Sequence, residues 1–269
     1  VFVERIDIEG NATTLDQVIR RQFRTVEGDP LNPREIRQAA ERVRALGYFA
    51  NASVDASQGS GEDQVIVDVN VEEQPTGSLS FGVSYGATSG VGLNIGFSET
   101  NFLGRGQTLN ANISSGTDTN DTSLTFIEPA FLNRDLRFRF SAAYNTSEAD
   151  DEKYNTKIIS VSPALEFPVG ERSRLEIRYT VADKEMSNYT GNSAVLAAET
   201  AQGALLTSAL GYSYTFDNRT TGINPTAGFR LRFGQDYAGL GGDVEAVTTN
   251  VIATAEKRIF QEEVTDNGL

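Results

Sequence analysis

From Gly77 onward, apolar and polar residues alternate with a period of two in one segment after another. That period belongs to extended strands with one dry and one wet face, so a chain that keeps it this long is built mostly of sheet. In the first segment Leu79, Phe81, Val83 and Tyr85 oppose Ser78, Ser80, Gly82 and Ser84, and in the second Val91, Leu93, Ile95 and Phe97 oppose Gly92, Asn94, Gly96 and Ser98. Further on, Leu136, Phe138, Phe140, Ala142 and Tyr144 oppose Arg137, Arg139 and Ser141, while Leu175, Ile177, Tyr179 and Val181 oppose Arg174, Glu176, Arg178 and Thr180. Leu210, Tyr212, Tyr214 and Phe216 form another dry face, as do Phe229, Leu231 and Phe233 against Arg230 and Arg232. The pattern predicts about ten strands: 78–86, 91–99, 107–115, 122–128, 136–146, 154–167, 174–184, 203–217, 227–237 and 243–258.

Each segment is roughly long enough to cross a hydrocarbon layer when tilted. The chain has no run of about 18 apolar residues, which excludes a spanning helix but not a spanning barrel, whose strands average to an ordinary hydropathy. A soluble sandwich would also alternate. Strand length and the connections separate the two. Compact turns at Asn101–Gly106, Ala130–Asp135 and Pro168–Ser173 alternate with longer polar, acidic connections at Ser147–Lys153 and Lys184–Thr200, the asymmetry expected of a barrel with short periplasmic turns and longer outer loops.

Residues 1–74 obey a different rule, and the change falls at Glu72-Glu73-Gln74-Pro75-Thr76-Gly77. Phe2–Glu9 alternates as a strand and stops at the turn pair Gly10-Asn11. Thr13 or Thr14 is placed to cap a helix carrying Leu15, Val18, Ile19 and Phe23, which Gly28-Asp29-Pro30 interrupts. A second helix has Asn32 as cap, Pro33 at its first position, Ile36, Ala39, Ala40, Val43 and Leu46 as its buried stripe, and Gly47 as its stop. Two strands, 48–56 and 64–71, complete a β-α-α-β-β domain. Gly47-Tyr48-Phe49 reads as a helix stop followed by aromatic core, and Arg20-Arg21 as a solvated helix face.

That order, with Ile8-Glu9-Gly10-Asn11, Ile19-Arg20-Arg21, Glu27-Gly28-Asp29 and Leu46-Gly47-Tyr48-Phe49, resembles the POTRA domain of outer-membrane assembly proteins. The second half extends the resemblance to the BamA family. Glu99–Gly106 is similar to that family's second-to-third strand turn, Phe126–Leu132 to its fourth-strand ending, and Tyr214–Arg219 with Pro225–Gly228 to its eighth-to-ninth strand turn. The resemblance implies an α+β POTRA domain (1–74) in the periplasm and, from residue 75 to 269, the N-terminal part of an antiparallel transmembrane β-barrel in the bacterial outer membrane. It also implies a barrel of about sixteen strands in the whole protein, of which this chain carries about ten, and further POTRA domains upstream.

The residues suggest no enzyme. There is no cysteine and no histidine, so thiolate nucleophiles, the usual metal sites and the usual general base are absent together. Gly90-Val91-Gly92 and Gly239-Leu240-Gly241-Gly242 have no helix behind them to cradle a phosphate, and Glu128 with Asp135 reads as a turn cap or lumen ion pair. A net charge of −14 argues against nucleic acid, and no cofactor is expected. The resemblance implies insertion of barrel proteins without a nucleotide, with unfolded outer-membrane proteins, outer-membrane lipids and BAM-complex lipoproteins as partners. Gly77, Gly82, Gly86, Gly90, Gly92 and Gly96 weaken side-chain packing in the first hairpin, which makes Ser78, Leu79, Ser80, Phe81, Gly82, Val83, Ser84 and Tyr85 the candidate edge for pairing with a substrate strand. The alternatives are a TamA-like or two-partner secretion transporter of the same superfamily, a passive outer-membrane pore, and a soluble β-rich enzyme.

Overall fold

In the computed structural model, which describes residues 1–86, 90–148, 153–219 and 227–257, the N-terminal strand β1 (Phe2–Glu9) carries a bulge between Val3 and Arg5. The bulge sets the inward residues at Val3 and Ile6, three apart, where strict alternation would have turned Arg5 into the core. β1 pairs in parallel with β3 (Gln64–Glu73), which pairs antiparallel with β2 (Phe49–Gln58), giving the order β1-β3-β2. Helices α1 (Asp16–Arg20) and α2 (Pro33–Ala45) supply Val18, Ile19, Ile36, Ala39 and Val43 to a core completed by Val67, Val69, Tyr48 and Phe49.

α2 is capped as its sequence requires. Asn32 Oδ1 accepts the Arg34 N–H at 3.1 Å, Pro33 occupies the first turn, and Gly47 ends the helix at φ 75°, a left-handed value that glycine adopts without strain. α1 departs from expectation. Its cap position is Leu15, with no side-chain bond, and neither Thr13 nor Thr14 caps it. Their backbone N–H groups instead donate to the carboxylate of Glu73, at 3.0–3.1 Å from Thr13 and 2.6 Å from Thr14. A charged acceptor from a neighbouring strand is stronger than a local hydroxyl, and it takes the backbone donors just before the helix. The helix is only five residues long, but turns from Gln22 N–H to Ile19 C=O and from Phe23 N–H to Arg20 C=O carry the chain on, and Phe23 is buried as the spacing requires.

Ten strands follow: β4 (Gly77–Gly86), β5 (Gly90–Phe102), β6 (Gln107–Ser115), β7 (Thr119–Glu128), β8 (Arg137–Ser147), β9 (Asn155–Gly170), β10 (Ser173–Ser187), β11 (Ala204–Asp217), β12 (Ala227–Ala238) and β13 (Ala246–Lys257). They form one sheet in chain order, with β4 and β13 at its ends. β9 and β10 outrun their apolar segments because backbone pairing continues through Asp183, Lys184 and Glu185, where Lys157 meets Glu185 at 3.7 Å. Backbone bonds need no apolar side chain once the strand has left the dry layer.

The connection Lys184–Thr200, read as a loop, contains helix α3 (Ala194–Ala201). Four alanines and a leucine favour helix, and Ser193 Oγ accepts the Leu196 N–H. No helix among the described residues is long and apolar enough to cross a membrane. Residue 258 and residues 220–226, which hold the end of the last predicted strand and the first half of the predicted Pro225–Gly228 turn, lie outside the described residues. By their contacts the residues fall into two compact units: Val1–Tyr85 with Val91–Ser114 and Leu124–Glu128, and Gly86–Gly90 with Ser115–Ser123 and Pro129–Leu269.

Burial raises the Glu73 carboxyl pKa, but the hydrogen bonds from Thr14 and Thr13 outweigh it and hold it below its ordinary value of 4.5. A depressed carboxylate stabilises the fold above its unfolded pKa, and that contribution disappears as pH falls through the folded value. Glu73→Ala is therefore expected to cost about 0.5–2 kcal/mol at pH 7, the scale of a lost cap, and nothing resolvable near pH 2. Equal costs at both pH values in urea melts would refute the charge-based account. Residues 1–74 alone are expected to melt cooperatively with a mixed helix and sheet spectrum, and Ile19→Ala to cost about 2–5 kcal/mol. A random-coil spectrum of that piece would move the domain boundary.

Candidate functional site

β4 carries all eight residues of the predicted edge and, as a terminal strand, hydrogen-bonds on one side only among the described residues. Every residue from Gly77 to Tyr85 is exposed, with Phe81 at 73%, Val83 at 77% and Tyr85 at 80%. Its outer backbone row has no strand partner among the described residues, and its apolar side chains are exposed. The glycines of this hairpin divide into kinds. A Cβ on Gly77 would lie 2.6 Å from Glu99 Oε2, and one on Gly96 would lie 2.6 Å from Ser80 Oγ, whereas at Gly82 it would meet only Asn94 Cβ at 3.7 Å. Gly77 and Gly96 make room for the side chains of Glu99 and Ser80; Gly82 fills no such need and only loosens the strand.

That polar face continues as a ladder of side chains. Asn94 donates to Asn112 at 3.1 Å and Ser98 to Asn110 at 2.7 Å. Across β8–β12 the same face carries charge. Glu176, 8% exposed, accepts from Arg139 at 2.7 Å and Arg178 at 3.3 Å, and lies 3.6 Å from Arg232. Arg178 forks onto both carboxylate oxygens of Asp236 and donates to Ser213 Oγ at 2.6 Å. Arg139, Glu176, Arg178, Ser213 and Arg232 line a cavity of about 230 Å³ with Gly234, Asn250 and Ile252. A Cβ on Gly211 would collide with Asp236 Oδ1 and Arg178 Nε, so glycine there is what lets the fork close.

The opposite face of β8–β12 contains Phe138, Phe140, Ile177, Tyr179, Tyr212, Tyr214, Phe229, Leu231 and Phe233, which the strand registers place on one side of the sheet. Many of its members are exposed, among them Ile177 at 43% and Phe229 at 47%, although they are large and apolar. A broad apolar face beside a face holding an arginine network belongs in lipid with water inside. Glu128 and Asp135 find different partners: Glu128 accepts from Gln107 at 2.6 Å, and Asp135 pairs with Arg174 at 3.2 Å. No cluster of potential metal ligands exists among the described residues.

A family model described as the Omp85 superfamily domain matches residues 101–265, and the POTRA model, described as a surface antigen variable number repeat, matches residues 1–74. The chain belongs to the Omp85 superfamily. Omp85 membership makes the strands after Gly77 part of an outer-membrane barrel, preceded by a periplasmic POTRA domain. The outer membrane protein assembly factor BamA of Neorickettsia risticii is 25% identical over 261 residues, 97% of this chain and 35% of that protein. The chain thus spans about a third of that curated relative. Among solved structures, BamA from Haemophilus ducreyi lacking POTRA domains 1–3 superposes with a TM-score of 0.72 at 26% identity, over 90% of this chain and 49% of that one. CdiB from Escherichia coli shares the fold at a TM-score of 0.59 and 15% identity, over 96% of this chain and 51% of that one.

Two features escaped the sequence reading of this Omp85 chain. Gly211 sits in an ordinary alternating strand, and only its register opposite Asp236 shows why it is glycine. Asn101 looked like a turn residue, yet its side chain is buried. Val181→Arg, on the lipid side of mid-β10, is expected to destabilise the barrel by roughly 2–4 kcal/mol, and its neighbour Thr180→Arg, on the water side, by much less. Equal losses in reversible folding into bilayers would mean that the faces are assigned the wrong way round.

Proposed function

We propose that this chain is the barrel-proximal part of an outer-membrane β-barrel assembly factor, with β4 as the strand on which client strands are templated. The observation that carries the reading is the make-up of β4, an uncharged, proline-free strand loosened by Gly82, in a chain similar to BamA proteins, one of which is named an outer membrane protein assembly factor. Folded sheets normally blunt an edge strand with charge, proline or a covering element. β4 carries neither of the first two: Gly77–Gly86 contains no charged residue and no proline.

A client strand arriving from the periplasm adds to β4 by main-chain hydrogen bonds, and alternation fixes its register, because a one-residue slip would turn its apolar side chains toward water. Each bond formed removes a backbone group from hydrocarbon, where an unpaired one costs several kcal/mol. Strand pairing then supplies the driving force, with no nucleotide and no covalent step. The partners in this reading are unfolded outer-membrane proteins, outer-membrane lipids and the lipoproteins of a BAM complex. Residues 1–74 are the periplasmic receiving domain and residues 75–269 the leading part of the barrel.

The fold likeness to CdiB supports a second reading, a transporter that passes polypeptide through a polar lumen, for which the arginine-lined wall is suited. Cysteines placed singly from Ser78 to Tyr85 in the full-length protein separate the two. Templating predicts disulfides to a stalled client strand with a period of two along β4, and a block of assembly when β4 is locked by a disulfide to the barrel's last strand. Normal assembly by the locked protein, or no cross-link to a client strand along β4, would favour transport.

A further inference from the structure

The turn Glu99–Gly106 does more than reverse the chain between β5 and β6. Asn101, only 7% exposed, donates its side-chain amide to Thr14 Oγ1 of the POTRA domain at 2.8 Å and accepts the Gly106 N–H at 2.8 Å. Thr14 is 2% exposed. Next to this bond the Leu15 N–H donates to the Gly104 carbonyl at 2.8 Å, and a Cβ on Gly104 would collide with the Thr13 carbonyl. Gly104 adopts φ 69°, so the turn needs glycine there for its backbone as well as for this approach.

The same asparagine reaches β4 from its other side. Its backbone N–H donates to Glu99 Oε1 at 2.7 Å, and that oxygen also accepts the Thr76 hydroxyl at 2.5 Å, while the Thr100 N–H meets the Thr76 carbonyl at 3.3 Å. Thr76 is the residue before β4. The covalent route to it is short: Glu73, whose carboxylate holds the Thr13 and Thr14 N–H groups, ends β3, and only Gln74 and Pro75 intervene. Gln74 is itself tied by its N–H to the Tyr48 carbonyl at 3.0 Å and by its side chain to the Gly47 carbonyl at 2.9 Å. Thr76 is therefore held through the chain and through the turn, and the buried Asn101 side chain, bonded at both its nitrogen and its oxygen, is costly to unmake.

We propose that Asn101 is a positioning residue that fastens the POTRA domain to the first residues of β4, so that the POTRA domain sets how freely the start of the edge strand opens. The proposal rests on reading β4 as the templating edge. It makes the fastening two-sided: removal of Thr14's hydroxyl from the POTRA side has the same effect as removal of Asn101's amide from the barrel side.

The test is hydrogen exchange on the full-length protein in lipid nanodiscs, comparing Asn101→Ala, Thr14→Val and Thr14→Ser. Peptides covering Gly77–Ser80 are expected to exchange about tenfold faster in the first two variants and at the original rate in Thr14→Ser, which keeps the hydroxyl. Peptides covering the POTRA core at Val67–Val71 are expected to stay unchanged. Unaltered exchange at Gly77–Ser80 in both variants overturns the proposal, and so does acceleration that spreads equally into the POTRA core. Faster exchange restricted to Gly77–Ser80 with undiminished assembly of client barrels would uphold the fastening and overturn β4 as the template.

Discussion

A backbone amide in hydrocarbon has no water to bond to, and the structure after Gly77 is arranged around that fact. Pairing each strand with its chain neighbours satisfies the backbone from β5 to β12. Period-two alternation then follows, since lipid lies on one side of the wall and water on the other. The arginines on the water side cannot remain isolated so close to a low-dielectric wall, and Glu176 and Asp236 answer them with a shared network. The same requirement falls on β4 and β13, whose outer backbone rows have no strand partner among the described residues.

The strands were legible because each was written twice, once in its apolar face and once in its polar one. β6 was read at Gln107–Ser115, and β4 to within one residue. The family match and the H. ducreyi structure support the architecture read from that pattern. The reading failed where a residue's reason lay in a distant partner. Thr13 and Thr14 look like caps until Glu73, some sixty residues away, is brought to their N–H groups. α3 was missed because eight residues rich in alanine carry no periodic polar face to announce them.

Glycine shows the same limit at a finer scale. In the sequence all the glycines of the first hairpin look alike, as loosening residues. In space Gly77 and Gly96 hold open room for Glu99 and Ser80, Gly211 does so for an ion pair, and Gly82 does nothing of the kind. Local pattern reveals that a strand exists and which way it faces. It does not reveal which missing side chain is missing for the sake of another.

The turn at Gly104 also bears on where this protein can tolerate length change. Its left-handed backbone lies against Thr13, leaving no slack for an added residue. The connection that holds α3 is different, since its helix buries no residue and sits between a cap at Ser193 and a left-handed Gly203. Drift in length among descendants of this chain should therefore collect around α3 and spare the Glu99–Gly106 turn, and an epitope or affinity tag belongs in the former.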